Sequence, residues 1–373
     1  MNALEHICLG GAATVGAKGV RFFAIAALVV LSACTRSDIV LNANEAVVAA
    51  GFYASSGGLP ASTPKPLRSG GSNVLVLTSG GADGAFGAGV LNAWSASGRR
   101  PVFDVVAGVS TGALQATPAF LGKGHDDLLE QVYTATRTRD VFRSNGVKTI
   151  IGSGLYDPAP LRRLLMELIT EDLLDEVAAA HKAGRRLYVV TTDMTLGKSV
   201  FWDMGAIATA SENRRGDYVD ILIASVAVPG LIEPVHVMDR RQNTSSLHSD
   251  GAVKMPVPLG SFMLPARSAG RTRVWVIANG HVSRDAALRS DAANTLTLAR
   301  RGVSQLIRQL LYSSVREAEQ KAAQAGARFQ LIALPESIPE AVDPFQFQPA
   351  EMKSLFEAGR ATGARTFGPL LQS

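Results

Sequence analysis

Phe103-Asp104-Val105-Val106-Ala107-Gly108-Val109-Ser110-Thr111-Gly112 is the stretch on which the fold of this chain turns. Its first half is a short apolar run of the kind that forms a strand buried on both faces, predicted over Phe103 to Val106. The second half has the spacing G-x-S-x-G, which puts a serine on a sharp turn between a strand and a helix. Gly108 and Gly112 flank the serine, where residues without a Cβ relax the turn and let a substrate carbonyl approach. Ser110 is therefore the candidate nucleophile, and a helix is expected to start directly behind it.

Upstream, Val74 to Leu77 is a second short aliphatic run, and it stops at Ser79-Gly80-Gly81-Ala82-Asp83-Gly84. Glycines after a strand can gather several backbone N–H groups into one concavity, with the positive end of the next helix, expected through Ala85 to Trp94, behind them. Gly80, Gly81 and Ala82 are the candidate oxyanion donors. The pattern is not G-x-G-x-x-G and has no P-loop lysine, which argues against a nucleotide loop.

Downstream, strands are predicted at Leu187 to Thr191 and Ser199 to Trp202 around a turn at Leu196-Gly197, then at Val274 to Ala278 and Phe329 to Leu334. Asp157-Pro158 opens a helix with Leu161, Leu164, Leu165 and Leu168 on one face. Longer helices are predicted from Asn294 to Gln324 and from Ala350 to Ala361. Strands alternating with helices predict a three-layer α/β/α fold with a mainly parallel central sheet. Late in the chain, Ser249-Asp250-Gly251-Ala252 places an acid before a glycine in an expected loop. An aspartate with a pKa of about 3.9 is a feeble base, so Asp250 would serve Ser110 only if desolvated beside it.

The 373 residues are 47% hydrophobic and 18% charged, which excludes a largely disordered chain. A net charge of +5, without Lys/Arg runs interleaved with aromatics, argues against nucleic acid as a partner. Cys8 and Cys34 are the two cysteines, so neither a disulfide framework nor a cysteine metal cluster holds the later chain together. His and carboxylate residues show no metal spacing, and neither a metal nor another cofactor is expected. Lys18 and Arg21 precede an apolar run from Phe22 to Leu31 that ends in Leu31-Ser32-Ala33-Cys34, the order of a secretory signal, and the run is too short to span a bilayer. The expected organisation is a signal over 1–33, a tether over 34–72 that is rich in Ser, Gly and Pro from Ser55 onward, and a catalytic domain over 73–373.

Taken in order, Gly80-Gly81-Ala82-Asp83-Gly84, Gly108 to Gly112 and Asp250-Gly251-Ala252 resemble the patatin-like phospholipases, which use a Ser-Asp dyad without histidine. The flanks Phe103 to Ala107, Ala224-Ser225-Val226-Ala227-Val228-Pro229 and Met255-Pro256-Val257-Pro258 share the likeness, which covers roughly Asn73 to Leu259. It implies a serine hydrolase cleaving carboxylic esters of lipids or phospholipids through an acyl-enzyme, with Ser110 and Asp250 as the dyad. Two departures stand out: Asp83 replaces the family's usual basic residue, and Asp-Gly-Ala replaces Asp-Gly-Gly. Leu-Ser-Ala-Cys resembles the lipobox of bacterial lipoproteins, implying an acylated Cys34 and a membrane anchor. Thr35 in the next position favours the outer membrane of a Gram-negative bacterium by the same resemblance. Two alternatives remain: an α/β-hydrolase esterase with a Ser-Asp-His triad, for which His281 is a better base than His236 or His248, and a non-catalytic lipoprotein that binds lipid or cell-wall material.

Overall fold

Val74 and Val76 project from one side of their strand and Leu75 and Leu77 from the other, and all four are fully buried. A strand apolar on both faces has to be covered on both. The computed structural model describes residues 47–49, 71–145, 154–210, 212–239, 244–265, 270–283, 295–341 and 343–368, all within the compact unit Ala46–Ser373. The expected signal and Cys34 lie outside the described residues, as does the tether except for 47–49 and 71–72.

In chain order the strands are β1 (Val47–Ala49), β2 (Asn73–Leu77), β3 (Val105–Val109), β4 (Arg143–Ser144), β5 (Gly154–Asp157) and β6 (Arg186–Asp193). They continue as β7 (Lys198–Asp203), β8 (Gly230–Ile232), β9 (Val235–Asp239), β10 (Thr244–Asp250), β11 (Arg273–Ala278) and β12 (Arg328–Ala333). The helices are α1 (Gly84–Ala96), α2 (Thr111–Leu121), α3 (Asp126–Ala135), α4 (Thr138–Val141) and α5 (Ala159–Leu168). After these come α6 (Glu171–Lys182), α7 (Met204–Ala208), α8 (Arg214–Val226), α9 (Thr295–Gln324) and α10 (Pro349–Phe367).

Among the described residues the main sheet has nine strands, in the order β1-β7-β6-β3-β2-β11-β12, with β10 paired to β6 and β9. The run β6-β3-β2-β11-β12 is parallel throughout, so the C-terminal ends of these five strands share one edge. On one face, helices including α1, α2, α6, α8 and α10 bury Leu75, Leu77 and Val106. On the other, Leu311, Val315, Ala318 and Ala322 of α9 pack with Val257, Leu259 and Met263 against Val74, Val76, Val105, Ala107 and Val109. This is the three-layer α/β/α arrangement with a mostly parallel sheet.

Several boundaries differ from those predicted. The second strand runs from Val105 to Val109 rather than Phe103 to Val106. Phe103 instead joins an aromatic cluster with Trp94 and Trp275, and the Asp104 carboxylate accepts the Asn73 N–H at 2.8 Å. The last helix continues past Ala361 to Phe367, whose ring stacks on Trp94 with centroids 3.9 Å apart. Inside the expected tether, Val47–Ala49 is a strand, because extended apolar residues can fill the open parallel edge of β7 (Val47 opposite Val200). Asp250 is not in a loop: it is the last residue of β10, opposite Thr191 of the antiparallel β6.

Candidate active site

β3 ends at Val109 and α2 begins at Thr111, which leaves Ser110 alone at the turn with φ 56° and ψ −129°. Among the described residues only Asn213 is another non-glycine with positive φ, and such strain in a side chain with a Cβ marks a held geometry. The turn is also crowded. A Cβ at Gly108 would collide with the Gly112 carbonyl, and one at Gly112 with the Leu77 carbonyl, so the G-x-S-x-G glycines are required by contact. The strained peptide is fixed from a distance: Ser110 N–H donates to Ser225 Oγ at 3.0 Å, and Ser225 Oγ donates to the Val190 carbonyl at 2.7 Å. Ser225 lies in α8 and is fully buried. Its role was not read from the sequence, and its only signal there was its place in the Ala-Ser-Val-Ala-Val-Pro flank.

Asp250 meets the serine. Its carboxyl accepts Ala252 N–H at 2.8 Å, lies beside the Ser110 side chain, and is 2% exposed. Burial raises its pKa from 3.8 to about 7, against the lowering effect of Ser110 and Ala252. Its backbone is held as firmly, with N–H donating to the Ala227 carbonyl and its own carbonyl accepting from Thr192 Oγ1. A Cβ at the next residue, Gly251, would press on the Val190 carbonyl and the Val109 side chain, whereas Ala252 is partly exposed and its methyl is tolerated. The Asp-Gly-Ala departure therefore leaves the carboxyl where it is needed.

Of the candidate oxyanion donors, Ala82 has to be withdrawn: its N–H donates to the Pro344 carbonyl at 2.9 Å. A donor already engaged cannot also hold an oxyanion. The N–H groups of Gly80 and Gly81 have no acceptor among the described residues and stay available. Asp83 is buried behind them, and its Oδ1 accepts Ala341 N–H at 2.7 Å. Burial raises its pKa to about 8, helped by Glu340 and Glu351 and opposed by the Ala341 donor and Arg308. At neutral pH it is mostly protonated, so this departure puts little negative charge near the glycine turn.

No histidine among the described residues is hydrogen-bonded to Ser110 or Asp250. His281 Nε2 is bonded to the Ile338 carbonyl at 2.8 Å and its backbone N–H to Glu340, which ties it to the segment after β12. His248 is held at both ring nitrogens by Thr191 and Ser246, and burial lowers its pKa to about 4. His236 is exposed and contacts Ser245 at 3.3 Å. The bonds of His281 tie it to the segment after β12, and none of them joins it to Ser110 or Asp250. No group of three His, Cys, Asp or Glu side chains among the described residues is disposed to hold a metal ion.

A parallel α/β/α sheet with a strained serine on the elbow at its C-terminal edge, facing a buried carboxyl, defines a nucleophile-elbow protein without a histidine at the elbow. The family model for patatin-like phospholipases matches residues 75–263, half of the chain, and the chain belongs to this family. Membership implies a lipid ester hydrolase and a lipid substrate. Among solved structures, VipD from Legionella pneumophila is similar, with 11% identity and a TM-score of 0.43 over 80% of this chain and 67% of that one. No curated protein matches the sequence significantly.

Proposed function

We propose that the chain is a serine lipid acyl hydrolase that cleaves carboxylic esters of lipids or phospholipids through a Ser110-Asp250 dyad. One observation carries this: the strained elbow holds Ser110 beside the buried carboxyl of Asp250, and burial raises that carboxyl's pKa. An ionised Asp250 takes the hydroxyl proton as Ser110 Oγ attacks the ester carbonyl. The Gly80 and Gly81 N–H groups receive the oxyanion. Asp250 then returns the proton to the departing alcohol oxygen, and a water molecule, deprotonated by the same carboxylate, releases the acid and restores the hydroxyl.

The test is turnover of a panel of phospholipids, lysophospholipids and short p-nitrophenyl esters by the parent chain beside Ser110→Ala. Near-complete loss in the variant is expected, with fluorophosphonate labelling confined to the parent. A folded parent that neither reacts with the probe nor cleaves any ester would favour a silent lipid-binding lipoprotein. Residues 1–33 are further proposed as a lipoprotein signal, and Cys34 as the acylated anchor on an outer membrane of the Gram-negative type. The support is the order of basic residues, apolar run and Leu-Ser-Ala-Cys. Metabolic fatty-acid labelling should disappear in Cys34→Ala, and equal labelling of both forms would sink the anchor.

A further inference from the structure

The apolar stripe that fixes α9 to the sheet does not stop where the sheet stops. Leu311, Val315, Ala318 and Ala322 are buried in the core. Leu311 lies level with the end of β11, since a Cβ at Gly280 would be 3.9 Å from its Cδ2. α9 leads into β12, which runs parallel to β11, so the helix begins at the C-terminal edge and its earlier residues project past it. At 1.5 Å per residue, Leu306 is about 7 Å beyond Leu311. Ile307, one turn before Leu311, continues the stripe but is exposed. Leu306 is 72% exposed, and Ile307 and Leu310 are exposed as well.

Two other turns at this same edge behave alike. β6 ends at Asp193, and in the turn behind it Met194 and Leu196 are exposed, Leu196 to 66%. Val253, just after Asp250, is exposed too. Lys198 follows Leu196 and Lys254 follows Val253; both are exposed and neither has a carboxylate partner among the described residues. At the opposite edge, before β3, Val102 is exposed, and Leu155 of the small sheet is exposed as well. Large apolar side chains interleaved with cations, gathered at the end where Ser110 sits, have the chemistry of an interfacial surface.

We propose that this edge docks onto a bilayer bearing anionic headgroups, with Leu306, Ile307 and Leu310 entering the acyl boundary and Lys198 and Lys254 facing the headgroups. The proposal rests on the lipid-ester reading of the site, and it adds how the elbow reaches lipid in an aggregate rather than in solution. Docking at this edge sets the mouth of the site against the substrate, independently of any anchor at Cys34.

The experiment is sedimentation of the full chain, carrying Cys34→Ala so that no acyl anchor contributes, with vesicles of phosphatidylcholine with or without phosphatidylglycerol. Leu306→Ser/Ile307→Ser/Leu310→Ser should lower the vesicle-bound fraction at least about fivefold, and Leu196→Ser/Lys198→Glu should erase the preference for phosphatidylglycerol. Both variants should hydrolyse a dissolved short-chain ester within about twofold of the parent, because the elbow is untouched. Val102→Ser should bind as the parent does. Unchanged binding in the two edge variants, or an equal loss with Val102→Ser, would overturn the docking surface. Vesicle binding that depends on the edge residues in a chain that cleaves no ester would uphold the surface and remove the hydrolase proposal instead.

Discussion

Burial raises both Asp250 and Asp83, but one carboxyl faces a hydroxyl and the other a backbone amide, and their consequences differ. Asp250 must be ionised to accept the Ser110 proton, so kcat/KM should rise with pH through about 7 and then level off. Asp250→Asn keeps the shape without the base, and its activity should fall nearly as far as that of Ser110→Ala; a variant retaining the parent's pH profile would exclude Asp250 as the base. Asp83 enters through stability. Its folded pKa of about 8 is above the ordinary 3.8, so the stabilisation from its neutral form is complete below 3.8 and is lost as pH rises towards 8. Asp83→Asn keeps an acceptor for Ala341, and its Tm relative to the parent should climb from about pH 5 to about pH 9. A constant gap over that range would mean that Asp83 does not hold its proton. Ser225 shows what residue types alone conceal: a serine on an apolar helix becomes part of the elbow only through its bonds to Ser110 and Val190.

At the scale of elements, β10 is the piece that local pattern could not reveal. Thr-Ser-Ser-Leu-His-Ser-Asp has no apolar alternation, and it is a strand because β6 on one side and β9 on the other take up its backbone groups. That pairing converts an apparent loop aspartate into a fixed one. The histidines belong to this level too, since each serves an element rather than the elbow. His281→Ala and His236→Ala should keep most ester activity. The first should lose about 1 kcal/mol of stability through its bond to Ile338, measured by urea unfolding. His248→Ala should cost more, about 1 to 3 kcal/mol, because it leaves buried partners on β6 and β10 unsatisfied. Collapse of activity in a folded His281→Ala would favour the triad.

For the whole molecule, the sheet core is the common support of the elbow and the glycine turn, which stand at the ends of the neighbouring strands β3 and β2. Leu75→Ala, at a position with no exposure, should cost about 2 to 5 kcal/mol in denaturant unfolding, while fluorophosphonate labelling persists wherever the variant is still folded. Loss of labelling in folded Leu75→Ala would mean that the core tunes the site rather than merely carrying it. By itself the sequence determined the parallel strands, the helices that alternate with them and the serine elbow. Each of these is governed by neighbours in the chain: a strand buried on both faces needs a run such as Val74 to Leu77, and a tight turn needs glycines two residues either side of Ser110. Only the tertiary structure decided that Asp250 lies beside Ser110, that Ser225 holds the elbow, that Ala82 is spent on Pro344 and that Asp83 is buried against Ala341. Those facts depend on burial and on hydrogen bonds between segments far apart in the chain, and both arise only when the sheet brings its strand ends to one edge.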